Sequence, residues 1–395
     1  MSELNTSLLN PPARILMGPG PSLVHPRVYR AMGAPVMGYA DPVFWDILDD
    51  TKALLRHVFN TENELTFPVS GTGSAGMEAA ICNIVEPGDE VIIGIVGAFG
   101  QRLQQMCERH QAVIHLVEAP WGTALDASAL EAALKQYPKT KVVMLVHGET
   151  STGVLQPMDD IAKVVKAHGA FLLLDTVTSL SGAPVNIDQW GVDLAYSGTQ
   201  KCLNVPPGLS PFTISARAEA AVQNRKSIID SWYLDIRSVR EYWGQGRTYH
   251  HTPPTSRIYA LREGLAVIAE EGLENRFARH ARNAKALHAG LAAMGLSLLV
   301  QDAAIRLPSL TTIMIPEGIN DGKLREQLRD QYNIDIAGGQ GHLAGKIWRV
   351  GLMGYGSSPQ NILGFLSALG QCMAMQGVKA DVGAALAAAA EGLGA

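Results

Sequence analysis

Seven short strand-like runs recur through the first part of the chain, and several are apolar from end to end. They read Glu64-Leu-Thr-Phe-Pro-Val69, Glu90-Val-Ile-Ile-Gly-Ile-Val96, Val113-Ile-His-Leu-Val117, Lys141-Val-Val-Met-Leu-Val146, Phe171-Leu-Leu-Leu-Asp175, Leu194-Ala-Tyr196 and Pro211-Phe-Thr-Ile-Ser215. A run with no polar alternate positions has no face to give to water, so such strands must be covered on both sides. Helix-like segments at 76–85, 101–110, 127–136 and 160–168 lie between them. The pattern predicts an α/β fold, a mainly parallel seven-stranded sheet under helices. Ligands of such sheets collect at the carboxyl ends of the strands. Asp41-Pro42 ahead of a helical apolar spacing predicts a capped amphipathic helix up to Phe59.

The texture changes near residue 270. A long helix over 279–294 precedes strand-like pieces at 297–300, 309–315 and 346–352, a helix over 359–375 and an alanine-rich tail from 379 that is expected to fray. Since single cores stop growing near ~250 to 300 residues, 395 residues imply two units. The expected division is an N-terminal arm over 1–14, a large domain over 15–271 and a smaller α+β domain over 272–395.

Hydrophobic residues make up 47% and charged residues 17%, the balance of a protein with a substantial core. The net charge is -5 and no five basic residues run together, which gives nucleic acid or an anionic membrane no electrostatic footing. Cys82, Cys107, Cys202 and Cys372 show neither a CxxC nor a Cys/His metal spacing, so no metal is expected and a reducing compartment fits. No basic leader, peroxisomal ending or apolar run of ~18 to 20 residues is present, and the expectation is a soluble cytoplasmic protein.

Lys201 closes the small, polar run Ser197-Gly-Thr-Gln-Lys201 and is followed by Pro206-Pro-Gly208, which puts its amine on a restrained turn after a strand. Such an amine can form an imine with an aldehyde once a partly buried cleft lowers its pKa from ~10.4. Ser70-Gly-Thr72-Gly73-Ser74 joins a strand to a helix, and its glycines, hydroxyls and helix N-terminal amides can cradle a phosphate. Asp175 ends an apolar strand and is either a turn cap or a counter-ion. Facing a pyridine ring, it would keep the ring nitrogen protonated. Phe99 could stack on that ring or pack in the core. Thr150, in the 147–153 hydroxyl cluster, has neighbours Glu149 and Ser151 for which a turn role is the safer reading. Arg349, among apolar residues, needs a carboxylate, either structural or a substrate's. Gly20, in the stiff Gly18-Pro-Gly-Pro21 turn, can bring bare backbone to the cleft mouth.

These residues together form the set that pyridoxal-phosphate chemistry requires, and the chain resembles the class V aminotransferases of fold type I. Within them it is similar to the alanine-glyoxylate and serine-glyoxylate aminotransferases. The matching motifs are Gly18-Pro-Gly-Pro-Ser22, Gly148-Glu-Thr-Ser-Thr-Gly-Val-Leu-Gln-Pro157, Tyr196-Ser-Gly-Thr-Gln-Lys201, Tyr249-His-His-Thr252, Arg306-Leu-Pro308 and Trp348-Arg-Val-Gly351. The resemblance implies pyridoxal 5'-phosphate as cofactor and Lys201 as both its covalent anchor and the proton carrier. It implies Asp175 at the ring nitrogen, Val177 and Phe99 on the two ring faces, and Thr150 on the phenolic oxygen. Thr72, Gly73, Ser74 and Gln200 would hold the phosphate, and Arg349 the substrate carboxylate. Phe99 stands where the family more often has tryptophan, and Ser74 where the animal enzymes have histidine. Tyr249 and Thr252 would reach the phosphate of a neighbouring subunit, which implies a homodimer.

The leading expectation is transfer of the amino group of alanine or serine to glyoxylate. The alternatives are ureidoglycine as donor, pyruvate as acceptor, a cysteine desulfurase or lyase on the same fold, and a non-catalytic cofactor-binding protein.

Overall fold

The computed structural model describes residues 7–394. The seven runs become β1 (Thr66–Ser70), β2 (Glu90–Ile95), β3 (Val113–Glu118), β4 (Val142–Val146), β5 (Phe171–Asp175), β6 (Leu194–Tyr196) and β7 (Leu209–Ile214). They form one sheet in the order β1-β7-β6-β5-β4-β2-β3. β7 runs antiparallel to both its neighbours and the other pairings are parallel. Every residue of β4 and β7 is buried, whereas β3, at the edge, leaves Val113 and Leu116 exposed. Each fully buried Val, Leu, Ile or Phe contributes about 1.5 to 3 kcal/mol, so these strands supply most of the drive to form the sheet. Across β1 and β7, Phe67 lies opposite Phe212 with ring centroids 5.6 Å apart, and Trp243 covers Phe67 at 6.1 Å.

Three helices bear on the cleft or its frame. α1 (Pro42–Phe59) starts as its sequence dictates, with Pro42 in the first turn and the Asp41 carboxylate accepting from the Val43 N–H at 2.9 Å. α2 (Gly73–Ile84) follows β1 directly, and α3 (Ala98–Arg109) follows β2.

A second core lies around the antiparallel sheet β8 (Leu310–Met314), β10 (Ile347–Gly351) and β9 (Ala337–Gly338), in that spatial order. Trp348 is fully buried there, under α4 (Leu273–Ala293) and α5 (Pro359–Ala374). Met17 belongs to this core, and Ile15 pairs in parallel with Ile334, so residues 15–17 pack with the C-terminal unit although the sequence groups them with the large one. Residues 1–6 of the expected arm lie outside the described residues, and Arg14 donates to the Asn333 side chain at 2.9 Å. The strand expected over 297–300 is reduced to one bridge, Leu298 with Ile313.

The tail is a correction. In place of a fraying helix, α6 (Val382–Leu393) is docked with Ala385 and Ala389 fully buried. Small residues allow the close approach: a Cβ at Gly290 of α4 would sit 3.1 Å from the Ala385 carbonyl oxygen, and one at Gly392 3.0 Å from Ala286 Cα. Among the described residues no helix is long and apolar enough to cross a membrane.

Candidate active site

The chain after β6 turns at once. The Thr199 hydroxyl donates to the Pro206 carbonyl at 2.9 Å, and Asn204 adopts a left-handed φ of 56°. The Lys201 carbonyl accepts from the Ser22 hydroxyl at 2.7 Å and from the Asn204 N–H at 3.1 Å. Asn204 itself is a knot: its amide donates to Ser22 Oγ, Leu23 O and Met353 O, while its oxygen accepts from Arg276 and from the Tyr355 N–H. The lysine backbone is thereby tied to the Gly18–Ser22 turn and to the C-terminal unit. Its side chain is buried, with Nζ donating to the Pro19 carbonyl. Burial first, and then the Arg349 cation, lower its pKa to about 8, as the sequence predicts for a desolvated amine. A Cβ on Gly20, whose φ is +108°, would fall 2.7 Å from Lys201 Cδ, so only glycine lets this turn lie against the lysine.

Asp175 ends β5 level with Tyr196 at the end of β6. That register lets the Tyr196 hydroxyl donate to Asp175 Oδ2 at 2.7 Å while the Val177 N–H donates to Oδ1 at 2.8 Å. Both side chains are buried, and desolvation outweighs the two hydrogen bonds, raising the Asp175 carboxyl to about 6. Asp175 is thus an oriented carboxylate with one hydrogen bond to each oxygen. The cap and counter-ion readings are not exclusive, because the Val177 N–H bond is itself a turn cap.

Thr72 precedes the first turn of α2 in extended conformation and its hydroxyl makes no capping bond. The hydroxyl and the unpaired first N–H groups of the helix are therefore open to an anion. Gly71, with φ +143°, would set a Cβ 2.5 Å from that of Ala75. At the start of α3, Glu149 accepts from the N–H groups of Phe99 and Gly100 at 3.1 and 3.4 Å, and Ser151 accepts from that of Ala98 at 2.9 Å. Glu149 and Ser151 therefore cap the helix that carries Phe99.

Thr72, Gly73, Ser74, Phe99, Asp175, Val177, Gln200 and Lys201 line one cavity of about 150 Å³, and the structure so brings together eight of the residues read from the sequence. Tyr196, Arg102 and Met77 line it too, and sequence reasoning gave none of them a role there. Arg102 had a signal, three residues after Phe99 on one helix face. Tyr196 had none, since strand register is invisible in the sequence. Hollows of about 480 and 450 Å³ lie elsewhere, around His147 and Trp190 and around Asp188 and Arg217. Neither contains the lysine, the oriented carboxylate or the open helix end, and chemistry outweighs size here.

The other expected residues fall outside that lining. The Thr150 hydroxyl pairs with that of Thr178. Arg349 is buried on β10, with Nε donating to the Gly338 carbonyl at 2.8 Å and Nη1 to that of Thr150 at 3.5 Å. Among the described residues no carboxylate bonds to it, and Glu149, whose charge reaches it, is spent on the α3 cap. The Tyr249 and Thr252 hydroxyls bond to each other at 3.0 Å on an exposed turn and do not enter this cavity.

The lining fits a phosphorylated pyridine aldehyde. A Cβ at Gly73 would stand 3.2 Å from Val177 Cγ2 and one at Gly198 3.0 Å from Gln200 Oε1, so the space is kept by missing side chains. Among the described residues Gln200 Oε1 is buried without a partner. The donor set is an anion cradle, a carboxylate for a ring nitrogen, flat walls and an amine for the aldehyde.

Comparison with known proteins agrees with the geometry. Residues 36–355 match the family described as Aminotransferase class-V. The (S)-ureidoglycine-glyoxylate transaminase of Bacillus subtilis is 40% identical, with 96% of this chain and 95% of the relative covered. The alanine-glyoxylate aminotransferase of Callithrix jacchus is 41% identical over 90% of this chain and 87% of the relative. The crystal structure of an alanine-glyoxylate aminotransferase from Nostoc sp. superposes with a TM-score of 0.92 at 46% identity, covering 94% of this chain and 98% of that one.

Proposed function

The chain belongs to the class V aminotransferases, which are pyridoxal-phosphate enzymes, and we propose that it moves the amino group of alanine or serine to glyoxylate, giving glycine and pyruvate or hydroxypyruvate. The observation that carries the substrate class is Arg349: a buried guanidinium with no acid bonded to it among the described residues, close enough to Lys201 to depress its pKa. A buried charge without a counter-ion is costly, and a substrate carboxylate removes that cost bidentately. Relatives whose names carry glyoxylate support the acceptor.

When bound, the cofactor supplies an electron sink for the substrate α-carbon. Lys201 would hold its aldehyde carbon and, once freed, would carry the proton between α-carbon and cofactor, its pKa of about 8 leaving a neutral, basic fraction that grows as the pH rises toward and past 8. Asp175 holds a proton at the ring nitrogen, oriented by Tyr196 and the Val177 N–H. Thr72, Gly73, Ser74 and Gln200 bind the phosphate, Phe99 and Val177 flank the ring, Thr150 meets the phenolic oxygen and Arg349 takes the substrate carboxylate. The division into an arm over 1–14, a large domain to 271 and a small domain beyond it belongs to the same reading, with residues 15–17 crossing over to pack on the small one. So does a cytoplasmic location.

We further propose a homodimer. Trp232, Tyr233, Tyr249 and Tyr39 are all more than 40% exposed, and they run together, with Trp232 stacked on His250 at 4.3 Å and Tyr39 against Tyr249 at 4.9 Å. The patch adjoins the cradle through a 2.8 Å bond between His251 and Ser70. A second copy covering it would bring Tyr249 and Thr252 to the other subunit's phosphate.

One observation favours a second donor, the 40% identity to the ureidoglycine enzyme. A desulfurase would need a reactive thiolate. All four cysteines are buried and their thiols are pushed up, to about 12 for Cys82 and Cys107 and about 11 for Cys372. The test is glycine formation from glyoxylate with alanine, serine and ureidoglycine as donors, beside pyruvate and 2-oxoglutarate as acceptors. Glycine from alanine or serine at the highest kcat/KM is the expected result. Turnover with 2-oxoglutarate as good as with glyoxylate would refute the acceptor, and no turnover with any pair would refute the reading.

A further inference from the structure

A phosphate monoester carries between 1.5 and 2 negative charges at pH 7, by the usual second pKa of about 6. The groups expected to hold it, Thr72, Gly73, Ser74 and Gln200, are all neutral. The N-terminus of α2 supplies only partial charge. Two nearby cations are committed to other work: Lys201 is half neutral at about pH 8 and lies on the Pro19 carbonyl, and Arg349 is fixed to the carbonyls of Gly338 and Thr150.

Arg102 is the cation that lies in the cavity lining beside them without such a commitment. It lines the same cavity and donates from Nη1 to Ser74 Oγ at 3.2 Å, directly at the helix end. Its guanidinium carbon lies 4.6 Å from the centroid of the Phe99 ring, so the side chain is braced by a cation-π contact. Its charge also reaches Lys201 and Tyr196 across the cavity. Among the described residues its hydrogen bond is to a hydroxyl and not to an acid, which leaves the rest of the fork for a ligand.

We propose that Arg102 is the cationic contact of the cofactor phosphate within its own subunit, with Ser74 acting as the post that aims the guanidinium. The assignment rests on the pyridoxal-phosphate reading of the cleft. It makes Arg102 a selectivity residue for the phosphorylated cofactor. The phosphate then meets one charged fork beside the neutral groups of Thr72, Gly73, Ser74 and Gln200, and the Phe99 ring is backed by the same arginine.

The experiment compares pyridoxal phosphate with pyridoxal, which shares the ring and aldehyde but lacks the phosphate. Dissociation constants are measured by spectral titration of apoenzyme for wild type, Arg102→Gln and Arg102→Lys. Arg102→Gln weakens pyridoxal phosphate on the order of 10- to 100-fold and leaves pyridoxal within about threefold, and the salt dependence of pyridoxal phosphate binding falls with it. Arg102→Lys retains most of the preference for the phosphorylated form, and it carries the comparison if the glutamine variant does not fold. Equal weakening of both ligands would overturn the proposal and reduce Arg102 to a brace for Phe99. No change in either would overturn it as well. If borohydride fails to fix pyridoxal phosphate on Lys201 of the wild type, the cofactor reading itself falls. If it succeeds and the two ligands respond alike, only the role of Arg102 is lost.

Discussion

The amine of Lys201 is held at about pKa 8 by burial and by the Arg349 cation, and this sets a pH dependence whose sign is fixed. The neutral form reacts, so capture of pyridoxal phosphate by the apoenzyme rises with pH through a midpoint near 8 and levels off above it. Removing the neighbouring cation lets the amine hold its proton more tightly, and Arg349→Ala moves the midpoint upward. Stopped-flow absorbance across neutral to alkaline pH checks both. A midpoint unmoved in the variant would mean that burial alone sets the amine. The lysine and its lowered pKa were legible because a small, glycine-bearing turn after an apolar strand leaves few other uses for a single lysine. The Tyr196 bond to Asp175 was not legible, because it depends on which residues of β5 and β6 come level. Asn204, tying three segments to the lysine loop, was hidden for the same reason.

At the scale of elements, periodicity was a good guide wherever burial on both faces forced an apolar run, as in β4, and wherever a cap was spelled out, as at Asp41-Pro42. It failed where composition was mistaken for weakness. The alanine-rich composition of α6 predicts a fraying tail, yet small side chains are what let a helix lie closely on α4, and burial of Ala385 and Ala389 holds it there. Overpacking that contact tests the point. Gly290→Val places branched carbons where Leu366 and the Ala385 carbonyl already stand 2.4 and 3.1 Å from a Cβ position, and it should destabilise the protein by about 1 to 3 kcal/mol. Calorimetry showing an unchanged Tm would mean the tail is not docked.

For the molecule as a whole, the proposed dimer makes each active site a product of two chains. Lys201→Ala and Tyr249→Ala should each be inactive or nearly so. Mixed and reassociated, they should recover activity, because one of the two sites in a heterodimer then has both residues intact. With random pairing, the recovery approaches roughly a quarter of wild type. No recovery, with heterodimers demonstrated, would place Tyr249 in its own subunit's service. The sheet, the cleft position and the lysine were readable along one chain, whereas whatever a second copy contributes can be read only from a surface, here the exposed aromatic patch beside Ser70.

Arg349 is a buried cation held on backbone carbonyls, and the proposed function has it meet its acid when substrate arrives. The measurement that tests this most directly is kcat/KM for glyoxylate with alanine or serine, in wild type and Arg349→Ala, with cofactor content verified by absorbance. The predicted result is a loss of at least about 10²-fold in the variant at full cofactor occupancy, since a desolvated, bidentate carboxylate contact is worth roughly 3 kcal/mol or more. An Arg349→Ala enzyme that keeps its cofactor and turns glyoxylate over at the wild-type kcat/KM would contradict it.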